Sequence, residues 1–88
     1  MITVVKSECG DRQGVITIQA DKQEEVMSPT ARQEAIKAAA AAGLSRPGLS
    51  GSDTAYPVDA DGNSSDDVTM GRVPLAAYRC DYRVTAGL

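Results

Sequence analysis

The chain has 88 residues with a formal net charge of −3, so length alone limits it to one domain with one core. It holds four Ile, eight Val, four Leu and three Met, with three Tyr and neither Phe nor Trp, so the aromatic rings that bury the most area are nearly missing. No apolar stretch approaches the roughly 20 residues of a membrane-spanning helix, and the modest net charge argues against a wholly disordered chain.

Ile2 to Glu8 is rich in β-branched residues and leads into the polar segment from Gly10 to Gly14. Val15 to Ala20 then resumes a strand, and residues 2–20 read as a β-hairpin. In its second arm Ile16, Ile18 and Ala20 share one face while Val15, Thr17 and Gln19 share the other, the alternation of a sheet covered on one side. Ser28-Pro29-Thr30 is a helix start, because Ser28 can accept from a first-turn amide and Pro29 loses no amide partner at the first helical position. The predicted helix covers 29–42 and stops at Gly43. Its seven alanines favour helix, and Ile36, Ala39, Ala40 and Leu44 are read as its apolar stripe.

Residues 45–67 are dense in Ser, Gly, Pro and Asp and are read as one long, flexible, acidic loop. The segment carries five Asp against Arg46, a net of −4, whereas residues 1–44 sum to −1 and residues 68–88 to +2. Acidity is therefore local. The region 68–84 is read as strand, with Val68 and Met70 in a short strand before Pro74. The last strand places Tyr78, Cys80, Tyr82 and Val84 on one face and Ala77, Arg79, Asp81 and Arg83 on the other.

The predicted class is α+β: a small antiparallel or mixed sheet in the order strand, strand, helix, loop, strand, with one Ala-rich helix on a face. That element order resembles the β-grasp arrangement of ubiquitin-like domains, although the chain ends Thr85-Ala86-Gly87-Leu88 without the diglycine of a conjugated modifier. A ferredoxin-like or three-stranded half-open sheet fits the same order.

The chain has no His, which removes Ser-His-Asp and Cys-His nucleophilic systems and imidazole metal sites. Cys9 and Cys80 are read as two small hydrophobes on strands, with a disulfide between chain ends that lie side by side as the alternative, since Met1 leads straight into Ile2-Thr3-Val4-Val5 with no secretory signal and a reduced cytoplasmic setting is expected. Asp59, Asp61 and Asn63 stand at the one-three-five spacing of a calcium loop. The glycine falls at the fourth position where the sixth is needed, and Met70 stands where a glutamate should close the site, so a solvated turn is the better reading. No metal or cofactor is expected. Arg79 and Arg83 lie on the face opposite Tyr78 and Tyr82, so stacking and phosphate contacts do not assemble on one side, and direct nucleic-acid binding is not expected.

What remains is a thin-cored scaffold that gains stability by docking or oligomerising. Its expected partner-binding residues are Asp53, Tyr56, Asp59, Asp61, Asp66 and Asp67 on the loop and Arg79 and Arg83 on the last strand. A row of carboxylates can occupy a basic groove built for nucleic-acid phosphates. In size, acidity and strand-strand-helix-strand order the chain resembles the small phage-encoded inhibitors of host defence of the anti-CRISPR type. That resemblance implies a non-enzymatic inhibitor or adaptor acting on a larger, nucleic-acid-binding protein in a host cytoplasm. The alternative expectation is a structural or virion assembly protein that forms a homo-oligomer through its sheet edges.

Overall fold

The computed structural model describes residues 1–87; Leu88, the last residue of the expected domain, lies outside them. The elements in chain order are β1 (Thr3–Cys9), β2 (Gln13–Ala20), α1 (Gln23–Val26), α2 (Pro29–Ala41), β3 (Gly48–Ser52), β4 (Tyr56–Val58), α3 (Asp66–Thr69) and β5 (Ala77–Thr85). All strand pairings are antiparallel, in the order β1-β2-β5-β3, and β4 continues along the same side of β5 that β3 begins. The domain is therefore α+β, with β2 and β5 as its central strands. The β-grasp likeness stops at element order, because the second strand rather than the first lies beside the last and the pairing there is antiparallel.

The register of β2 on β5 sets both faces of the sheet. Ile16 lies opposite Tyr82 and Ile18 opposite Cys80, and all four are at most 1% exposed. Burying each isoleucine fully contributes about 1.5–3 kcal/mol. On the helix side, Ala31, Ala35 and Ala39 recur every four residues and are wholly buried. Alanine keeps the helix backbone close to the sheet, and the larger side chains of β2 and β5 fill the interface from below. The predicted stripe is thus rotated: Ile36 is half-buried and Ala40 exposed, while Leu44 is buried as expected.

The start of α2 follows its sequence. The Ser28 hydroxyl accepts from the Ala31 amide at 3.2 Å and donates to the Glu25 carbonyl at 2.7 Å, linking α1 to α2. Gly43, with φ +105°, ends the helix in the conformation that favours glycine. The Tyr82 hydroxyl donates to the Val26 carbonyl and fastens α1 across the end of the core.

Two readings are corrected. Residues 45–67 are not one open loop, since β3 and β4 both pair with β5 and the Asp53 amide donates to the Asp81 carbonyl between them. Their Gly, Ser and Pro content hides them from propensity, and they exist as strands because β5 supplies the hydrogen-bonding edge. The short strand expected at Val68 and Met70 is absent: Asp66–Thr69 is a helical turn, with acidic Asp66 and Asp67 at its positive end and Val68 turned into the interior. Strand structure resumes only at Ala77.

Candidate interaction surface

The sheet face opposite α1 and α2 carries Tyr56, Arg79 and Arg83 of the expected binding residues and meets Asp53 through Arg83, while Ala77 and Val58 at one end of it are buried, as is Val68 of α3, which lies against β4. Alternation along β5 sends Arg79, Asp81 and Arg83 to this face, and the register adds Gln19, Thr17 and Val15 from β2 opposite them. Tyr56 of β4 lies beside Arg79, and Gly51 of β3 lies beside Arg83. On the outer strand β1, Glu8 and Lys6 complete the rows through Val15 and Thr17.

The charges do not pair along the strand. Asp81 accepts from the Thr17 hydroxyl at 2.6 Å and from the Tyr56 hydroxyl at 3.4 Å. Thr17 is 5% exposed, so this is a polar contact largely removed from water and stronger than one on the surface. Arg79 donates through Nε to Gln19 Oε1 at 2.9 Å and through Nη1 to the Gly62 carbonyl at 3.3 Å. Arg83 pairs with Asp53 at 3.1 Å, both side chains being about half exposed. Burial first, and the Asp81 carboxylate second, raise the Tyr56 phenol above its ordinary pKa, so it stays a donor.

Glycine makes room for both arginines. A β-carbon on Gly51 would stand 2.8 Å from an Arg83 guanidinium nitrogen, and one on Gly62 would stand 2.6 Å from an Arg79 nitrogen. Gly62 also has φ +82°, a conformation costly for other residues. The segment from Asp53 to Asn63 is thereby held onto the sheet by the arginines of β5.

The acidic residues are consequently unlike one another. Asp53 is neutralised by Arg83, and Asp67 by Arg72 at 3.1 Å. Asp59 uses Oδ1 to accept from the amides of Asp61 at 2.9 Å and Asn63 at 3.0 Å, closing a turn of the kind aspartate favours. Among the described residues the carboxylates of Asp61 and Asp66 make no hydrogen bond or ion pair, and both side chains are exposed. Tyr56 is half-buried in β4 and is not a free aromatic anchor. The Asp53–Asn63 part of the acidic loop and the arginine face, expected to be separate, meet through Arg83–Asp53 and Arg79–Gly62, whereas Asp66 and Asp67 lie on α3. Sequence reasoning omitted Thr17, Gln19 and Asp81 from it, although alternation had already put them on this face.

Both cysteines are free. Cys80 is buried, its Sγ donates to the Asp53 carbonyl at 3.0 Å, and burial pushes its thiol up, the reverse of an activated thiolate. A cleft of about 410 Å³ opens at the hairpin end of the sheet, where Arg83, Val15, Gln13, Gly14, Ser50 and Thr85 are among its lining residues. Among the described residues no three Cys, Asp or Glu side chains are placed to share a metal ion, and no helix is long and apolar enough to cross a membrane.

The fold and this surface define a small α+β domain whose sheet is covered on one face by α1 and α2 and is largely polar on the other. No protein-family model, no curated protein and no solved structure matches the chain.

Proposed function

We propose that this domain is a non-enzymatic inhibitor or adaptor that binds a larger protein, using acidic side chains to occupy a basic surface that otherwise holds nucleic acid. The observation that carries this reading is the contrast within the acidic segment. Asp53, Asp59 and Asp67 are spent on holding the chain, while Asp61, on a backbone pinned by β4, by Arg79 and by the Asp59 turn, and Asp66, at the start of the α3 turn, are exposed and unpaired. Carboxylates on a preorganised backbone lose less entropy on binding than the same groups on a free loop. They also steer association with a basic partner. The likeness in size, acidity and element order to phage-encoded anti-CRISPR inhibitors supplies the class of partner, an RNA-guided nuclease complex. The non-enzymatic part of the reading is supported by the absence of His and by the inactivated environment of Cys80.

The experiment measures target-DNA binding by a panel of RNA-guided nuclease complexes with and without the protein. Wild type should compete in at least one case, with an effect that weakens as salt rises. Asp61→Asn with Asp66→Asn should lose about tenfold or more of it, two surface charge contacts at a basic groove being removed. Absence of competition throughout the panel, or competition indifferent to both salt and the double variant, overturns the reading.

A further inference from the structure

The two edges of the sheet are not equivalent. The β3–β4 edge is broken into two short pieces and carries Pro57, both of which blunt pairing with another chain. Strand β1 is a single strand from Thr3 to Cys9 with one register shift near its start, and among the described residues no strand other than β2 pairs with it.

The hydrogen-bonding direction along this edge follows from the hairpin. The Gly10 amide donates to the Gln13 carbonyl at 2.7 Å, which makes Gly10 and Gln13 a hydrogen-bonded pair. In an antiparallel ladder such pairs alternate with non-hydrogen-bonded ones. Counting back along the observed register, Glu8–Val15 and Lys6–Thr17 are hydrogen-bonded, whereas Cys9–Gly14 and Ser7–Ile16 are not. Ser7 and Cys9 therefore turn their amide and carbonyl groups outward, away from β2. The register shifts between Val4 and Lys6, and Val5, the extra residue there, has no partner in β2.

We infer that β1 pairs antiparallel with β1 of a second copy of this chain, about a two-fold axis at Ser7. In that register Ser7 faces its own equivalent in a hydrogen-bonded pair, and Cys9 meets Val5 of the other copy. Lys6 lies opposite Glu8 of the second copy on the open face, and symmetry repeats the pair. Within one copy Lys6 and Glu8 already sit 3.1 Å apart with 60% and 67% of their side chains exposed, so both are free to exchange partners across the axis. An axis at Lys6 or Glu8 would set like charges face to face, and in-register parallel pairing would do the same along the strand. The charges thus favour the Ser7 axis over the two registers next to it. The acidic segment lies beyond β5 on the far side of the sheet from β1, so the dimer carries its two acidic tips at opposite ends.

Sedimentation velocity from micromolar to millimolar concentration tests the dimer, with circular dichroism confirming the fold of each variant. Wild type should show a concentration-dependent dimer. Lys6→Glu and Glu8→Lys should each weaken it by about tenfold or more, since both symmetric pairs become like-charged. An equimolar mixture of the two variants should recover association as a heterodimer, and the double variant K6E/E8K should recover it as a homodimer. A wild type that stays monomeric to millimolar concentration overturns the inference, as does a dimer unmoved by either single variant or variants that fail to complement each other. Because this readout needs no nuclease, its failure is separable from failure of the acidic-inhibitor reading.

Discussion

Tyr82 shows how much rests on single side chains in a core with so few large ones. It is the largest fully buried side chain, and its hydroxyl satisfies the Val26 carbonyl at the end of α1. Tyr82→Phe keeps the ring and removes the donor, leaving a carbonyl beside a buried ring without that bond. The expected cost is about 1–2 kcal/mol, read as a lower urea midpoint with an unchanged slope. Burial first, and the Cys80 neighbour second, push the Tyr82 phenol up to about 12, above the value near 10 it has when unfolded. A raised pKa in the folded state favours the protonated form there. The stability this group contributes is full below about pH 10 and is lost as pH rises toward 12. Phenolate absorbance should accordingly show Tyr82 ionising only as the pH nears 12, and its ionisation near pH 10 in folded protein would contradict its burial.

At the scale of elements, α2 is defined more by what its buried face lacks than by what it carries. Ala31, Ala35 and Ala39 leave no volume between helix and sheet for a larger side chain. Ala35→Leu should force overpacking and cost about 1–3 kcal/mol, whereas Ala40→Leu, at an exposed position, should change stability by no more than about 0.5 kcal/mol. Thermal unfolding of the pair separates the observed stripe from one drawn through Ile36 and Ala40, which predicts the reverse order. Hydropathy places the stripe through Ile36 because it weights the largest apolar residue, while steric closeness selects the smallest. The opening hairpin, the capped helix and the last strand were legible because their signals are local: alternation, a Ser-Pro start and a terminating glycine. Strands β3 and β4 were not, because Gly48, Ser50, Gly51, Ser52 and Pro57 have no preference for strand and become strand only against β5. The turn from Asp66 to Thr69 was misread for a related reason, since four residues are too few for any period to show.

For the whole molecule, the consequence of a two-layer build is that access to the interior requires the helix layer to leave the sheet. Cys80 sits at 0% exposure between them, whereas Cys9 is half-buried near the hairpin. A thiol reagent should modify Cys9 readily. Cys80 should react only through global opening, at a rate that rises with denaturant in parallel with unfolding. Equal, fast labelling of both would show that the alanine-faced helix detaches on its own.

The candidate surface divides along the same line. The residue types need no tertiary structure to find: five Asp in one segment, and Arg79 and Arg83 two turns of the pleat apart on one strand face. Alternation also assigned Thr17, Gln19 and Asp81 to that face. What the sequence by itself determined was local geometry and charge inventory, because caps, glycines and a period of two act over a few residues. Only the tertiary structure decided that Arg83 takes Asp53 from 30 positions away, that Asp81 turns to Thr17 and Tyr56, and that Asp61 and Asp66 are left free. Those choices depend on which strands lie beside β5 and in which register, and such pairings form between segments whose separation along the chain carries no local signal.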